Sequence, residues 1–333
     1  MFKNIPIIIV EFNSYNRTIK FLKEFLINVE YKNISFIIVD NAPNDENYYN
    51  LFENIKNEFF CESIEKDTKE SYKDSRIKKI NKLSIKHNCK DIEVILIKAK
   101  KNYGFAIANN IGAKVAEDNY SLDYIIFSNS DISFYNKFSL KEFTDILKRN
   151  NNIALVGPKI IGVDGKRQTP STKKNLFKRW DFNSLIWPLN KVIKYDFSKD
   201  ILETNESCFC YRIIGAFMFF DFKKFKEIGY FDEKTFLYAE ELIIAEKLIN
   251  KNYLTYYDDN QVLIHEQGGT TKKSFNNLKK LSIMYNSEIY YYKNYLKYSD
   301  FRLNLSKALF NLYLLKIKLV TNIKLKYEAM KWS

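Results

Sequence analysis

Short apolar runs and amphipathic stretches alternate along the first 130 residues of the chain. Four runs are typical of buried strands: IPIIIV at 5–10, ISFIIVD at 34–40, DIEVILIKA at 91–99 and DYIIFS at 123–128. Between them, RTIKFLKEFLINV at 17–29 has apolar residues at helical spacing, and NYGFAIANNIGAKVAED at 102–118 begins as a loop and enters a helix. This alternation predicts an α/β fold with a central, mostly parallel sheet flanked by helices.

Polar residues follow each of the four predicted strands. The strand exits carry Glu11-Phe12-Asn13, Asp40-Asn41, the segment from Asn102 to Asn110, and Asn129-Ser130-Asp131. Ligands of open α/β sheets bind beyond the carboxyl ends of the strands, so this recurrence predicts a ligand site there. A Rossmann dinucleotide site is not indicated, because residues 11–16 contain no glycine, and the P-loop pattern is absent from the chain.

The chain is basic, with 53 Lys and Arg against 40 Asp and Glu and a formal net charge of +13. This charge favours an anionic partner, which could be nucleic acid, nucleotide phosphates or an anionic membrane face. Four cysteines without C-x-x-C spacing and two histidines argue against a zinc site and favour a reducing compartment. Because no secretory signal or membrane-spanning run is visible, we expect a cytoplasmic protein, either free or peripheral on the inner face of the cytoplasmic membrane.

Two segments differ from the alternating pattern. Residues 56–90 are highly charged with few periodic apolar positions, which predicts a solvated helical insertion in a catalytic domain spanning 1–273. Residues 274–333 are basic and rich in tyrosine, and they predict a helical C-terminal extension. Four of its apolar positions fall close to one helical face: Leu312, Leu315, Leu319 and Ile323. That face suits either an anionic membrane surface or packing on the catalytic domain, and the sequence leaves both open.

The carboxylate at the exit of the fourth strand is a candidate cation ligand. Asp131 follows small polar residues, and Mg²⁺ or Mn²⁺ prefers such oxygen ligands while a bound diphosphate supplies the rest. An isolated aspartate in a turn can also cap the segment that follows. Asp131 alone therefore does not decide between a metal site and a turn.

The ordered set of motifs over residues 4–275 resembles family 2 of the nucleotide-sugar-dependent glycosyltransferases, which have the GT-A fold. The resemblance is carried by IPIIIVEFNSY, FIIVDNAPND, KNYGFAIANNIG, FSNSDISF, VGPKIIGVDGKRQ, IIGAFMFFDFKKFKEIGYFDEKTFLYAEE and VLIHEQGGTTKK. Within the family, the chain is most similar to the rhamnosyltransferase-like branch that serves capsule or O-antigen synthesis. The resemblance implies a nucleotide-diphospho-sugar donor, a divalent cation, and a glycan or lipid-linked glycan acceptor.

The resemblance also implies a role for individual residues. Asp131 would bind the metal ion, with Asn129 at the first position of the D-x-D-type motif and His265 near the same ion. Asp40 would accept a hydrogen bond from the nucleotide base. Further contacts with the nucleotide or donor sugar are implied for Phe12, Asn13, Asn102, Gly104 and Asn110. The resemblance implies that Gly215 and Ala216 lie on the side of the site where the acceptor binds.

A pair of acidic residues is the candidate for the catalytic base. Glu240 and Glu241 stand near the start of a helix predicted within 231–249, where the helix dipole would also favour them for purely structural reasons. An inverting sugar transfer needs a carboxylate that takes the proton of the acceptor hydroxyl. The resembled family usually has Glu-Asp with the second residue as base, which indicates Glu241, with Glu240 as a substitute. Relatives are often acidic at the position of Ile243.

We therefore expect an inverting glycosyltransferase that moves a sugar from a UDP- or dTDP-linked donor to a hydroxyl of a growing bacterial surface glycan, with no nucleic-acid partner. The alternatives are an inactive nucleotide-binding relative, a nucleic-acid-binding protein and a nucleotidyltransferase. Carboxylates at the strand exits would repel nucleic-acid phosphates in the absence of a metal. The loop EFNSYN lacks the glycine-rich, basic character of a nucleotidyltransferase loop.

Overall fold

Strands and helices alternate through the part of the chain that the computed structural model describes, which is residues 4–31, 33–67, 74–88, 90–173, 201–266 and 277–331. In chain order the elements are β1 Ile5–Glu11, α1 Tyr15–Asn28, β2 Val29–Glu30, β3 Ile34–Asp40, α2 Glu46–Glu58, β4 Phe60–Asp67, β5 Ile77–His87, β6 Lys90–Ala99, α3 Phe105–Asn119, β7 Tyr124–Ser128, β8 Ile132–Phe134, β9 Phe138–Ser139, α4 Leu140–Arg149, β10 Ile153–Gly162, β11 Cys208–Cys210, β12 Phe217–Asp221, α5 Phe222–Glu227, α6 Glu240–Ile249, β13 Leu254–His265, α7 Asn277–Asn294 and α8 Asp300–Lys331.

The four strands predicted from the sequence form the parallel centre of the main sheet. β7, β1, β3 and β6 lie side by side in that order, and each pairs with its neighbours in parallel. The order across the whole sheet is β11-β13-β10-β12-β7-β1-β3-β6-β5-β4, and β8 pairs with β13. β12 is antiparallel to both of its neighbours, β7 and β10. The predicted α/β fold with a mostly parallel central sheet is confirmed.

Helices cover both faces of this sheet. Ile7 and Ile9 of β1 belong to a core cluster with Phe25 of α1, whereas Ile8 belongs to a second cluster with Ile111 of α3. All three isoleucines are fully buried. Strands that are buried on both faces are apolar at consecutive positions, which explains why these runs do not alternate with polar residues.

The prediction of a helical insertion over residues 56–90 is wrong. After α2 ends at Glu58, the chain forms β4 and β5, an antiparallel pair that extends the sheet beyond β6. In β5 the buried residues Asn81, Leu83 and Ile85 alternate with less buried ones, as expected of a strand with one covered face. In the sequence, the polar Asn81 at a buried position and the adjacent Lys78 and Lys79 interrupt that alternation.

The C-terminal region is helical, as predicted, and it packs against the rest of the chain. Tyr291 and Tyr292 of α7 share a buried cluster with Leu242 and Ile243 of α6. Of the four positions predicted on one face of α8, Leu312 and Leu315 are exposed, and the side chains of Leu319 and Ile323 lie outside the described residues. None of the helices described is both long and apolar enough to cross a membrane.

A buried ion pair joins the neighbouring strands β3 and β6 near their carboxyl ends. Lys98 donates from Nζ to Asp40 Oδ2 at 2.8 Å and to the Ala42 carbonyl oxygen at 2.7 Å. The two side chains are 3% and 0% exposed. Because both charges are removed from water, each depends on the other for compensation.

We expect Lys98→Met to lower the free energy of unfolding by about 3 kcal/mol or more, because Asp40 then stays buried without its partner. The exposed Lys100 lies two residues further along, and Lys100→Met should change stability by less than about 0.5 kcal/mol. Urea denaturation of both variants measures the difference. Equal effects of the two substitutions would contradict a special role of the pair.

Candidate active site

The end of β7 lies beside the start of β12, and this brings the motif of Asn129 and Asp131 close to Gly215-Ala216. Ser128 pairs with Phe217 across these strands, and the next amide, that of Asn129, donates to the Ala216 carbonyl oxygen at 2.9 Å. The preceding Gly215 amide donates to Glu241 Oε1 at 3.2 Å. The segment that carries Asp131 and the residue predicted as the base thus lie on either side of Gly215-Ala216.

Asp131 and His265 meet as predicted. The Glu266 amide donates to the Asp131 carbonyl oxygen at 2.9 Å, which ties the end of β13 to the loop before β8. His265 Nε2 lies 3.2 Å from Asp131 Oδ1. The other ring nitrogen, Nδ1, lies 2.8 Å from Gln168 Oε1. Gln168 was not singled out from the sequence, although it ends the quoted segment VGPKIIGVDGKRQ.

The contact with Gln168 orients the His265 ring so that Nε2 faces the Asp131 carboxylate. An imidazole nitrogen and a carboxylate oxygen that face each other in this way can both bind one divalent cation. Adjacent ligands at about 2.1 Å from one ion lie about 3 Å apart, so the pair fits a small divalent cation.

Two protein ligands are too few to complete a cation site. Within the described ranges, no three or more His, Cys, Asp or Glu side chains are grouped to hold an ion. Mg²⁺ and Mn²⁺ commonly keep one or two carboxylates and take their other ligands from water and phosphate oxygens. Asp131 and His265 therefore fit a cation that is shared with a phosphorylated ligand.

Arg17 is a site residue that sequence reasoning missed. It lies in the first turn of α1, and one of its terminal nitrogens is 4.0 Å from Asp131 Oδ2. That nitrogen is buried and has no hydrogen-bond acceptor among the described residues. The available signal was its position just after the loop that leaves β1, where a guanidinium can face a phosphate beyond the strand ends.

The two adjacent glutamates have different surroundings. Glu240 is 6% exposed, and its Oε1 finds no hydrogen-bond partner in the described part of the chain. Burial, reinforced by the negative charge of Glu241, raises the pKa of Glu240. Glu241 is only half-buried and accepts from Gly215. Glu240 thus tends to hold a proton, whereas Glu241 is the carboxylate that faces the motif at the end of β7.

The backbone before the glutamates adopts an uncommon conformation. Tyr238 and Ala239 have φ angles of 72° and 68°, so two consecutive non-glycine residues are left-handed. Such residues persist where the surrounding structure over-determines them, often at functional sites. α7 provides part of that constraint, since Ser287 donates to the Leu237 carbonyl oxygen at 2.8 Å and Tyr290 donates to Asp232 at 2.9 Å.

Gly104 makes a close backbone contact with the loop that precedes Glu240. Its φ is +83°, and a Cβ placed on it would lie 2.0 Å from the Phe236 carbonyl oxygen. That oxygen accepts from the Phe105 amide at 2.9 Å. Gly104, predicted as a donor-binding residue, therefore allows the start of α3 to approach the loop that leads to Glu240 and Glu241.

Phe12, Asn13 and Asn102 lie at the strand ends, as predicted. Phe12 is half-buried and Asn13 is exposed with a φ of 52°. Glu11 before them is buried and accepts from the Ser14 amide and hydroxyl, which secures the loop that leaves β1. Asn102 Oδ1 accepts from Asn41 at 3.0 Å and from the Gly104 amide at 2.9 Å.

The expected ligand contacts of Asp40 and Asn110 need correction. Asp40 is 0% exposed and accepts from Lys98, from Asn47 at 2.9 Å and from the Ala42 amide. Asn110 is buried, accepts from the Phe231 amide and donates to the Phe231 carbonyl oxygen. Neither side chain reaches solvent, so both shape the loops around the site and do not contact a ligand in this arrangement.

Comparison with protein families agrees with this geometry. The family described as glycosyl transferase family 2 matches residues 70–229. The chain carries a family 2 glycosyltransferase domain. The matched part includes the end of β7 with Asp131 and the Gly215-Ala216 segment, whereas β1, β3, the two glutamates and His265 lie outside it. A search of curated proteins found no match.

Two solved structures are similar to this chain, and the one with a TM-score above 0.5 supports the fold. TarS of S. aureus is 14% identical with a TM-score of 0.46, and the match covers 92% of this chain and 42% of that one. The structure of GalNAc-T7 with UDP, GalNAc and Mn²⁺ is 12% identical with a TM-score of 0.52, and the match covers 87% of this chain and 50% of that one. The chain thus spans half the length of these proteins or less. The expected GT-A fold is confirmed.

We expect Gly104→Ala to destabilise the protein by about 3 kcal/mol or more, because the added methyl group meets the Phe236 carbonyl oxygen. Gly165 is the matched control: its φ is +75°, and a Cβ there meets nothing within 4 Å. Gly165→Ala should cost only about 1 kcal/mol, the penalty of the left-handed backbone alone. Thermal denaturation compares the two, and equal shifts would show that the close approach at Gly104 is unimportant.

Proposed function

We propose that this glycosyltransferase is an inverting enzyme that uses a UDP- or dTDP-linked sugar and a divalent cation, and that its acceptor is a hydroxyl of a growing bacterial surface glycan. One observation supports this most directly. Gly215-Ala216 hydrogen-bonds to Glu241 on one side and to the segment of Asn129 and Asp131 on the other. A carboxylate base and a phosphate-binding cation would thereby share one site.

The donor would lie across the ends of β1, β3 and β7. Asp131 and His265 would hold Mg²⁺ or Mn²⁺, and Gln168 would keep the His265 ring in the orientation that presents Nε2. The cation would stabilise the negative charge that develops on the departing diphosphate. Arg17 would add a second positive charge beside the same phosphates.

Glu241 would act as the general base. The acceptor oxygen attacks the anomeric carbon from the face opposite the diphosphate, and the sugar–phosphate bond breaks as the new glycosidic bond forms. The hydroxyl proton passes to Glu241, and the bonding electrons leave with the nucleoside diphosphate. The buried Glu240 keeps its own proton and so does not add a second negative charge beside the base.

The finer assignments rest on sequence resemblance and charge. Rhamnosyltransferase-like specificity and a role in capsule or O-antigen synthesis come from the motifs quoted above, which resemble that branch of the family. A lipid-linked glycan acceptor would bring the enzyme to an anionic membrane surface, which the net charge of +13 favours.

We expect one nucleoside diphosphate among UDP, dTDP and GDP to bind with an affinity that depends on Mn²⁺. Asp131→Asn should weaken this metal-dependent binding by more than about tenfold, and Gln168→Leu by about tenfold, because one removes a ligand and the other releases the histidine ring. Calorimetric titration with and without Mn²⁺ gives each affinity.

Asp118→Asn is the control for these titrations, because Asp118 is exposed near the end of α3 and precedes the start of β7, whereas Asp131 follows its end. It should leave nucleotide affinity unchanged. Metal-independent binding, or none, by the unmodified protein would contradict the proposed donor site and would favour the inactive relative.

We expect Glu241→Gln to lower turnover by about a thousandfold while nucleotide affinity stays the same, because the base is lost and the donor site remains. Glu240→Gln should lower turnover by less than about tenfold, since a neutral amide replaces a protonated acid. Release of nucleoside diphosphate from the cognate sugar nucleotide, with a lipid-linked glycan extract as acceptor, measures both. The reverse pattern would assign the base to Glu240.

A further inference from the structure

The helix α8 has an apolar surface on two opposite sides. Its inner side packs on α7, where the rings of Phe310 and Tyr285 stack with centroids 3.8 Å apart, and Leu303 joins the cluster formed by α6 and α7. Its outer side carries four exposed large apolar residues: Phe301 at 77%, Leu305 at 43%, Leu312 at 57% and Leu315 at 53%. We call these four residues the outer stripe.

The outer stripe is a continuous surface. Its members are spaced by four, seven and three residues, which places all of them on one side of a helix with 3.6 residues per turn. Exposed large apolar residues elsewhere in the described chain, such as Ile27, Val163 and Ile249, lie on separate elements. Single exposed residues of that kind are ordinary, whereas a row of four on one helix marks a surface that another molecule covers.

The charges beside the outer stripe are of one sign. Arg302, Lys307 and Lys318 are exposed at its flanks. Residues 300–331 contain seven Lys and Arg and only two acidic residues, Asp300 and Glu328. Asp300 is engaged, since Lys293 donates to it at 3.2 Å. The helix therefore presents apolar side chains between basic ones, which is the pattern of helices that lie in the interface of anionic membranes.

We propose that the outer stripe of α8 docks on the surface of an anionic phospholipid bilayer. The apolar side chains would enter the region between headgroups and acyl chains, and the flanking basic residues would contact lipid phosphates. The helix would lie along the surface. A second copy of this chain fits less well, because it would bring Arg302, Lys307 and Lys318 against the same basic residues without an acidic partner.

Docking would also orient the active site. Leu303 of α8 shares a cluster with Tyr291 of α7 and with Leu242 of α6, and Leu242 directly follows Glu241. A bilayer held by α8 would thus have a set position relative to the base. The docking itself is independent of donor and acceptor, whereas its benefit for catalysis rests on the proposed lipid-linked acceptor.

Sedimentation of the full chain with lipid vesicles tests the docking. The protein should bind vesicles that contain phosphatidylglycerol, bind vesicles of phosphatidylcholine alone at least about tenfold more weakly, and dissociate at high salt. Leu312→Gln together with Leu315→Gln should weaken binding by more than about tenfold. Lys307→Gln together with Lys318→Gln should reduce both the affinity and its dependence on salt.

Ile27→Gln is the matched control, because Ile27 is an equally exposed apolar residue on α1. It should leave vesicle binding unchanged, and circular dichroism confirms that each variant is folded. Titration of the same variants with nucleotide separates this proposal from the proposed function, since the α8 substitutions should not alter nucleotide affinity.

Three results would overturn the docking proposal. One is absence of binding to the phosphatidylglycerol vesicles, and another is equal binding to neutral and anionic vesicles. The third is a dimer, seen by light scattering without lipid, that the Leu312 and Leu315 substitutions dissociate; this would identify a second copy as the partner of the outer stripe.

Discussion

The antiparallel pairing of β7 with β12 is the contact on which the candidate active site depends. An antiparallel partner begins where its neighbour ends, so the start of β12 lies beside the end of β7. This brings Gly215-Ala216 against Asn129 although 86 residues separate Asn129 from Gly215 along the chain. The segment of Asp131 and the helix of Glu241 then reach one candidate site from opposite sides.

Burial gives the carboxylates of this region different functions. Asp40 lies between two strands and is satisfied by Lys98, so it stabilises the sheet. Glu240 is buried without such a partner, and its raised pKa favours the protonated form. Asp131 and Glu241 keep access to the space beyond the strand ends and are the ones available for chemistry. Under the proposed function, the same functional group would supply a structural ion pair, a neutral acid, a cation ligand and a base.

The C-terminal helices connect the active site with the surface of the molecule. α7 binds the strained loop before Glu240 through Ser287 and Tyr290, and α8 covers α7 while presenting its own apolar stripe outward. The packing of a helix determines how precisely a carboxylate on that helix is positioned. Under the two proposals, the tyrosine-rich α7 would support catalysis by packing against the loop before Glu240, and the basic α8 would act through its surface.

The sequence by itself determined the α/β alternation, the four central strands and the chemistry at their exits, because consecutive apolar residues and polar exits follow directly from a sheet that is covered on both faces. It did not predict the strands β4 and β5, since the buried position 81 of β5 is a polar asparagine that interrupts the alternation of apolar and polar residues. Only the tertiary structure showed which polar groups are satisfied inside the protein, as Asp40 and Asn110 are, and that Arg17 and Gln168 join the pair of Asp131 and His265. Both outcomes depend on contacts between residues far apart in the chain. The local sequence around each residue does not indicate which distant residues lie close to it in the fold.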